Sequence, residues 1–169
     1  MALVVITDQS TKLWAVAALS GHSSVRVLGD FLMWTLVYNS GGAMGTRVGP
    51  SVYYLVMSLV VLPFVCYYIY KNRQVKLISI PLAFIAGGAI GNLIDRIRLG
   101  SVIDFIDVDF FDISIGPFQL DRFWTFNVAD SSITCAIVFL LFLMFFQRRS
   151  LDPHDHPGPV EDKPSDLAG

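Results

Sequence analysis

Three stretches constrain this chain before anything else does: residues 52–70 and 77–94 hold no charged side chain, and residues 128–147 hold only Asp130. At about 1.5 Å of helical rise per residue, each crosses a hydrocarbon core of about 30 Å, so each is read as a transmembrane helix. A soluble core does not accommodate three such segments in 169 residues, 54% of them hydrophobic. Residues 1–19 are a weaker fourth candidate, because Asp8, Gln9 and Lys12 interrupt the apolar run. The acid stands four residues before the base, on one helix face and in the favourable order for an ion pair, so this segment too is read as a span. A cleavable leader is the competing reading; it fails because no basic residue precedes the apolar stretch and Asp8 lies inside it.

Basic residues mark the cytoplasmic side. Lys71, Arg73 and Lys76 lie between the second and third spans, and Arg148 and Arg149 follow the fourth, so both termini are expected inside. The outer segments are then residues 20–51 and 95–127. Residues 31–38 form an aromatic and β-branched run closed by Asn39, Ser40, Gly41 and Gly42, which predicts a strand, a tight turn and a small sheet on the outer face. An interfacial helix is disfavoured there because the run has no polar stripe at helical spacing. Residues 107–125, with Asp107, Asp109, Asp112 and Asp121, read as a solvated outer loop. Residues 151–169 are rich in Pro and acid and are expected to be a disordered cytoplasmic tail, with His154 and His156 solvated rather than metal-bound. The expectation is one domain over residues 1–150: an all-α integral membrane protein with four transmembrane helices and a small outer β-sheet.

Composition also excludes partners. A net charge of −2 with 12 Lys and Arg leaves no basic surface for nucleic acid. Cys66 and Cys135 both fall inside spans, where they read as small buried hydrophobes and give neither a disulfide framework nor a metal site.

Ionisable side chains at membrane depth are costly unless they are paired or wet, so the few present carry the most information. Asp8 and Lys12 are accounted for equally well by a neutralising pair that lets the helix insert. Gly87 and Gly91 form a small-x-x-x-small pattern that lets a neighbouring helix come close. Asp95 stands at the expected end of the third span, where the helix dipole disfavours an anion, so it needs a donor such as Arg96 or a backbone amide. A purely structural Asp95 and Arg96 network and a contact with substrate are both open. Asn127 and Asp130 are spaced as a helix N-cap and its third residue, a relative of the capping box. Capping accounts for Asp130 and leaves Asp104, alone among Val102, Ile103, Phe105 and Ile106, without a partner.

Both aspartates flank the outer end of the bundle. Two carboxyls in one wet pocket share a proton, and such a pair can hydrolyse an amide without a metal or a covalent nucleophile. Other chemistries are poorly equipped: His22 is the only histidine outside the tail, no Cys and His cluster has zinc spacing, and no serine sits in a nucleophile elbow. A transport subunit with an ion relay would spread ionisable groups through the bilayer, whereas the second and third spans have none in their interiors. A scaffold whose acids only cap and pair is the other alternative, and it predicts that Asp to Asn changes are mild.

In chain order, the blocks Asp8-Gln9-x-x-Lys12, Asn39-x-Gly41, Gly87-Gly88-x-x-Gly91-Asn92-Leu93-x-Asp95-Arg96, Val102-x-Asp104-Phe105 and Phe126-Asn127-x-Ala129-Asp130 resemble the lipoprotein signal peptidase (signal peptidase II) family. One block alone is weak; all of them in this order on hydrophobic spans is specific. The resemblance implies an intramembrane aspartyl endopeptidase with Asp104 and Asp130 as its catalytic dyad, and no cofactor or metal. It implies that Asn39, Asn92, Asp95, Arg96 and Asn127 shape or line the site, with Asp8 and Lys12 in a supporting polar network. The implied substrate is a diacylglyceryl-modified prolipoprotein, cut just before the lipidated cysteine at the outer face of the bacterial cytoplasmic (inner) membrane. Inhibition by globomycin, contact with membrane lipid, action as a monomer and an outer β-cradle are implied too. Ala43 and Met44 follow Gly42 where the family usually shows Ala-Ala-Phe-like residues, and the 107–125 segment is long. Asp8 stands nearer the start than is usual, which implies residues upstream or a shallow first helix.

Overall fold

All four apolar segments are helical in the structure, a computed structural model that describes residues 1–42, 49, 51–109, 113–115, 118–120 and 124–149. The helices are α1 (Ala2–Leu19), α2 (Ser51–Lys71), α3 (Lys76–Leu99) and α4 (Val128–Arg149), and all four are long and apolar enough to cross a membrane. The main departure is at α3. The helix runs past the apolar stretch to Leu99 and stops only where Gly100 takes a left-handed conformation (φ 70°), which a residue without a Cβ adopts at little cost. Asp95 and Arg96 therefore lie a turn inside the helix rather than at its end.

α3 is the central element, in contact with α1, α2 and α4. Its glycines make that closeness possible. A Cβ on Gly87 would stand 2.8 Å from the Val4 Cβ, one on Gly88 would stand 2.6 Å from the Ala129 carbonyl oxygen, and one on Gly91 would strike the Asp8 carboxylate. The small-residue pattern thus seats α1 and α4 on α3, as its spacing implies. By contrast, α2 buries no residue, and Val52, Val56, Leu59, Val60, Phe64 and Tyr67 among others are exposed on its outer face. That is the expected state of a helix whose solvent is lipid. Cys66 and Cys135 are exposed on the bundle surface too, contrary to the reading of them as buried; apolar character at these depths is satisfied by lipid as well as by protein.

The strand expected at residues 31–38 is present one residue later. β1 (Val25–Leu28), β2 (Leu32–Asn39) and β3 (Val102–Val108) form an antiparallel sheet in the order β1-β2-β3. It lies at the end of the bundle where α1 and α3 finish and α2 and α4 begin. Phe105 packs with Ala15 and Leu19 of α1 beneath Trp34, and Ser51 Oγ donates to the Gly100 carbonyl. The described parts of the segment read as a solvated loop include strands. β3 continues to Val108, β4 (Ile113–Ile115) pairs with β5 (Phe118–Leu120), and Phe126 bridges back to Ile106. Asp107 is buried and accepts a 2.8 Å bond from Thr35 Oγ1, which explains how an acid sits there. Ala43, Met44, Asp112, Asp121 and the tail with His154 and His156 lie outside the described residues.

Candidate active site

Strand alternation sets out the site. Phe105 turns toward α1, so Asp104 faces the opposite way, and β3 places it across from Val37 with Asn39 two residues along on β2. Asn39 Nδ2 donates to Asp104 Oδ2 at 3.0 Å, while Asn39 Oδ1 accepts the Gly41 amide at 2.9 Å and so fixes the turn that follows.

At the start of α4 the expected capping box is realised. Asn127 Oδ1 accepts the Asp130 amide at 2.9 Å, and Asp130 Oδ2 accepts the Asn127 amide at 3.3 Å. Capping occupies only one Asp130 oxygen. The other, Oδ1, accepts Asn92 Nδ2 at 2.8 Å from α3, and Asn127 Nδ2 donates to Asp104 Oδ1 at 2.7 Å. Every oxygen of the two carboxyls therefore receives an N–H, from Asn39 and Asn127 at Asp104 and from Asn92 and the Asn127 backbone at Asp130. Asn127 links the pair directly. Burial first, and then the neighbouring Asp130 charge, push the Asp104 carboxyl up from 3.8 to about 7, against the pull of the Asn39 and Asn127 donors.

Behind this layer lies a buried charged cluster. Lys12 Nζ is 2.9 Å from Asp8 Oδ2 and 2.8 Å from Asp95 Oδ2, and it donates to Asn92 Oδ1 at 2.8 Å. Asp8 Oδ1 also accepts the Ala129 amide at 2.9 Å, which sets an anion at the positive end of α4. Asp95 is offset from the unfavourable end of α3 by Lys12, by Gln9 Nε2 at 3.1 Å and by the Ile103 amide at 3.2 Å. An amide partner was expected there; Arg96 is not the ionic one. Arg96 reaches the Gly41 carbonyl at 3.2 Å instead and lies over the Tyr54 ring. Asp95→Asn removes one of the two carboxylates that hold the buried Lys12 ammonium and turns an NH₂ toward donors that need an acceptor, so we expect a loss of about 3 kcal/mol, read as earlier thermal unfolding in detergent.

Asn39, Asn92, Arg96, Asp104 and Asp130 line one open cleft of about 370 Å³, walled by Val102, Trp124, Phe126 and Ile133. Asn127 is fully buried beside it, and Asp8, Lys12 and Asp95 lie behind it. Gln9, Trp124 and Thr125 were not singled out as site residues. Gln9 had a signal in its polarity within an apolar span, whereas Trp124 and Thr125 carry none that spacing would reveal. Among the described residues no group of His, Cys, Asp and Glu is arranged to hold a metal ion.

Comparison with known families decides the assignment. The family model described as Signal peptidase (SPase) II matches residues 1–146. The chain belongs to the signal peptidase II family. A lipoprotein signal peptidase of Caldanaerobacter subterraneus subsp. tengcongensis is 40% identical over 147 residues, covering 87% of this chain and 94% of that protein. One of Pseudomonas putida is 37% identical and covers 90% of this chain and 89% of its own length. A bacterial membrane enzyme solved by the in meso method at 2.3 Å superposes with a TM-score of 0.76 at 27% identity, covering 92% of this chain and 91% of the other. As a signal peptidase II family member with four such helices, the chain is a multi-pass membrane protease.

Proposed function

We propose that this protease is an aspartyl endopeptidase that removes signal peptides from diacylglyceryl-modified prolipoproteins, cutting just before the lipidated cysteine. Asp104 and Asp130 are its dyad. The observation that carries the reading is that both carboxyls, remote in sequence, open on one cleft with a fixed N–H on each oxygen. The pair shares one proton. Its ionised member takes a proton from a bound water as that water attacks the scissile carbonyl carbon, and its protonated member donates to the carbonyl oxygen. Collapse of the tetrahedral diol then breaks the C–N bond while a dyad proton passes to the leaving amine and a diol hydroxyl returns its proton to the dyad as the carboxyl product forms. Asn39, Asn92 and Asn127 hold the carboxyls in place, Arg96 supplies the cleft's positive charge for the peptide backbone, and the lipid-facing opening admits the diacylglyceryl group.

In this reading both termini lie in the cytoplasm of an inner-membrane enzyme and the cleft faces outward, where a signal peptide's cleavage site emerges; the basic loop and helix end support that orientation. Residues 1–150 act as one monomeric domain and residues 151–169 as a cytoplasmic tail. The test is a gel-shift assay of purified enzyme with a diacylglyceryl prolipoprotein, with and without globomycin and EDTA. Cleavage that globomycin blocks and EDTA leaves unchanged is expected. No shift with the lipidated substrate, or loss of activity on chelation, overturns the reading.

A further inference from the structure

The buried lysine is not part of the cleft lining, yet it touches a side chain that is. Lys12 is 1% exposed and comes from α1, which contributes nothing to the cleft lining. Its ammonium has three hydrogens and three acceptors, Asp8 Oδ2, Asp95 Oδ2 and Asn92 Oδ1. The third is more than charge balance requires. An asparagine amide has an oxygen end and an NH₂ end of nearly equal size, so only its neighbours decide which way it points. An ammonium donates and never accepts, so Asn92 must turn its oxygen toward Lys12 and its NH₂ toward Asp130 Oδ1.

We propose that Lys12 is a positioning residue of the dyad: by holding the Asn92 oxygen, it aims the Asn92 NH₂ at Asp130 and fixes that carboxyl in its working orientation. The inference rests on the dyad reading above. Asn127 Nδ2 also donates to Asn92 Oδ1, but at 3.2 Å and with its hydrogens shared with Asp104 Oδ1 at 2.7 Å and the Ile103 carbonyl at 3.2 Å. The shorter, charge-assisted bond from Lys12 is therefore the one that sets the amide. The same oxygen also accepts from Asn127, so it steadies two of the three asparagines that hold the dyad. Asn92 reversed would present its NH₂ to the Lys12 ammonium and the Asn127 NH₂, donor against donor, and an oxygen to the Asp130 carboxylate.

Lys12→Met alone strands two buried carboxylates and can fail by unfolding. Asp8→Asn with Lys12→Met removes one anion and one cation together, keeps side-chain volumes and leaves the net charge of the cluster unchanged. Full-length variants in detergent are first scored for folding by thermal unfolding and then for kcat and KM on the lipidated substrate. Adding Lys12→Met to Asp8→Asn is expected to lower kcat about 100-fold, the scale on which a misplaced catalytic group is felt, with KM little changed because Arg96 and the apolar walls of the cleft keep their places. In an Asn92→Ala background the same addition changes kcat by less than about two-fold, since there is no amide left to aim. Wild-type kcat in the folded pair variant overturns the proposal. So does an equal loss in both backgrounds, or failure of the charge-matched pair to fold, either of which assigns Lys12 to packing. Asp130→Asn in the same assay separates the two readings: its inactivity keeps the dyad whatever Lys12 does, and its activity removes the dyad itself.

Discussion

Asp104→Asn and Asp130→Asn each leave a folded membrane protein whose processing of lipidated prolipoprotein falls by at least about 10³-fold, within the span attributed to a positioned acid or base. The amide matches the carboxyl in volume and removes both its charge and its exchangeable proton. At residue 130 the substituted side chain still has an oxygen for the Asn127 amide, so the capping box of α4 survives while the base is lost. At residue 104 the donors Asn39 and Asn127 face an NH₂ on one side, which costs stability locally without disturbing β3, whose ladder is backbone. Gel-shift processing and far-UV circular dichroism on the same preparations separate activity from fold. The double variant loses no more than either single one, because two groups that share a proton act as a unit. Either single variant cleaving at the wild-type rate removes the dyad and returns both acids to the capping and pairing roles that a scaffold would give them.

Different parts of this arrangement were legible in the sequence to different degrees, and the reason in each case is the range of the interaction. The spans follow from uncharged length. The Asp8 and Lys12 pair follows from helical spacing, and the Asn127 and Asp130 capping box from a separation of three residues, so local geometry sufficed for both. The partner of Asp95 did not follow. It depended on where α3 ends, which the left-handed Gly100 decides, and on α1 bringing Lys12 alongside. The Asn39 bond to Asp104 was equally hidden, since it needs the β2 and β3 register, displaced by an irregularity between Trp34 and Val37. A pattern of apolar and polar residues fixes which face a side chain takes, but register across a sheet is a tertiary property. The contact between Lys12 and Asn92 joins residues far apart on different helices, and no periodicity announces it.

The alkaline limb of the pH profile is the sharpest quantitative consequence. With the Asp104 carboxyl raised to about 7, chiefly by burial, the pair keeps its proton below that pH and loses it above. The rate then falls toward tenfold per unit, or about 50-fold between pH 7, where half the pairs hold the proton, and pH 9. Unfolding does not mimic this. A carboxyl whose folded value is above its unfolded one binds its proton more tightly in the native state, so its contribution to stability is complete below about 4, declines as pH rises to about 7 and is flat beyond. Activity and this group's part in stability therefore change in different windows, and a thermal unfolding midpoint measured beside the rate distinguishes them. The charges that bear on the group come from every side: Asp130 on α4 raises its value, and Lys12 on α1 lowers it. The Asn39 donor lowers it as well, so Asn39→Ala moves the limb to higher pH while also weakening the hold on the carboxyl. A limb that stays fixed in that variant, or a rate still rising at pH 9, means that the proton lost in the limiting step is not held at Asp104.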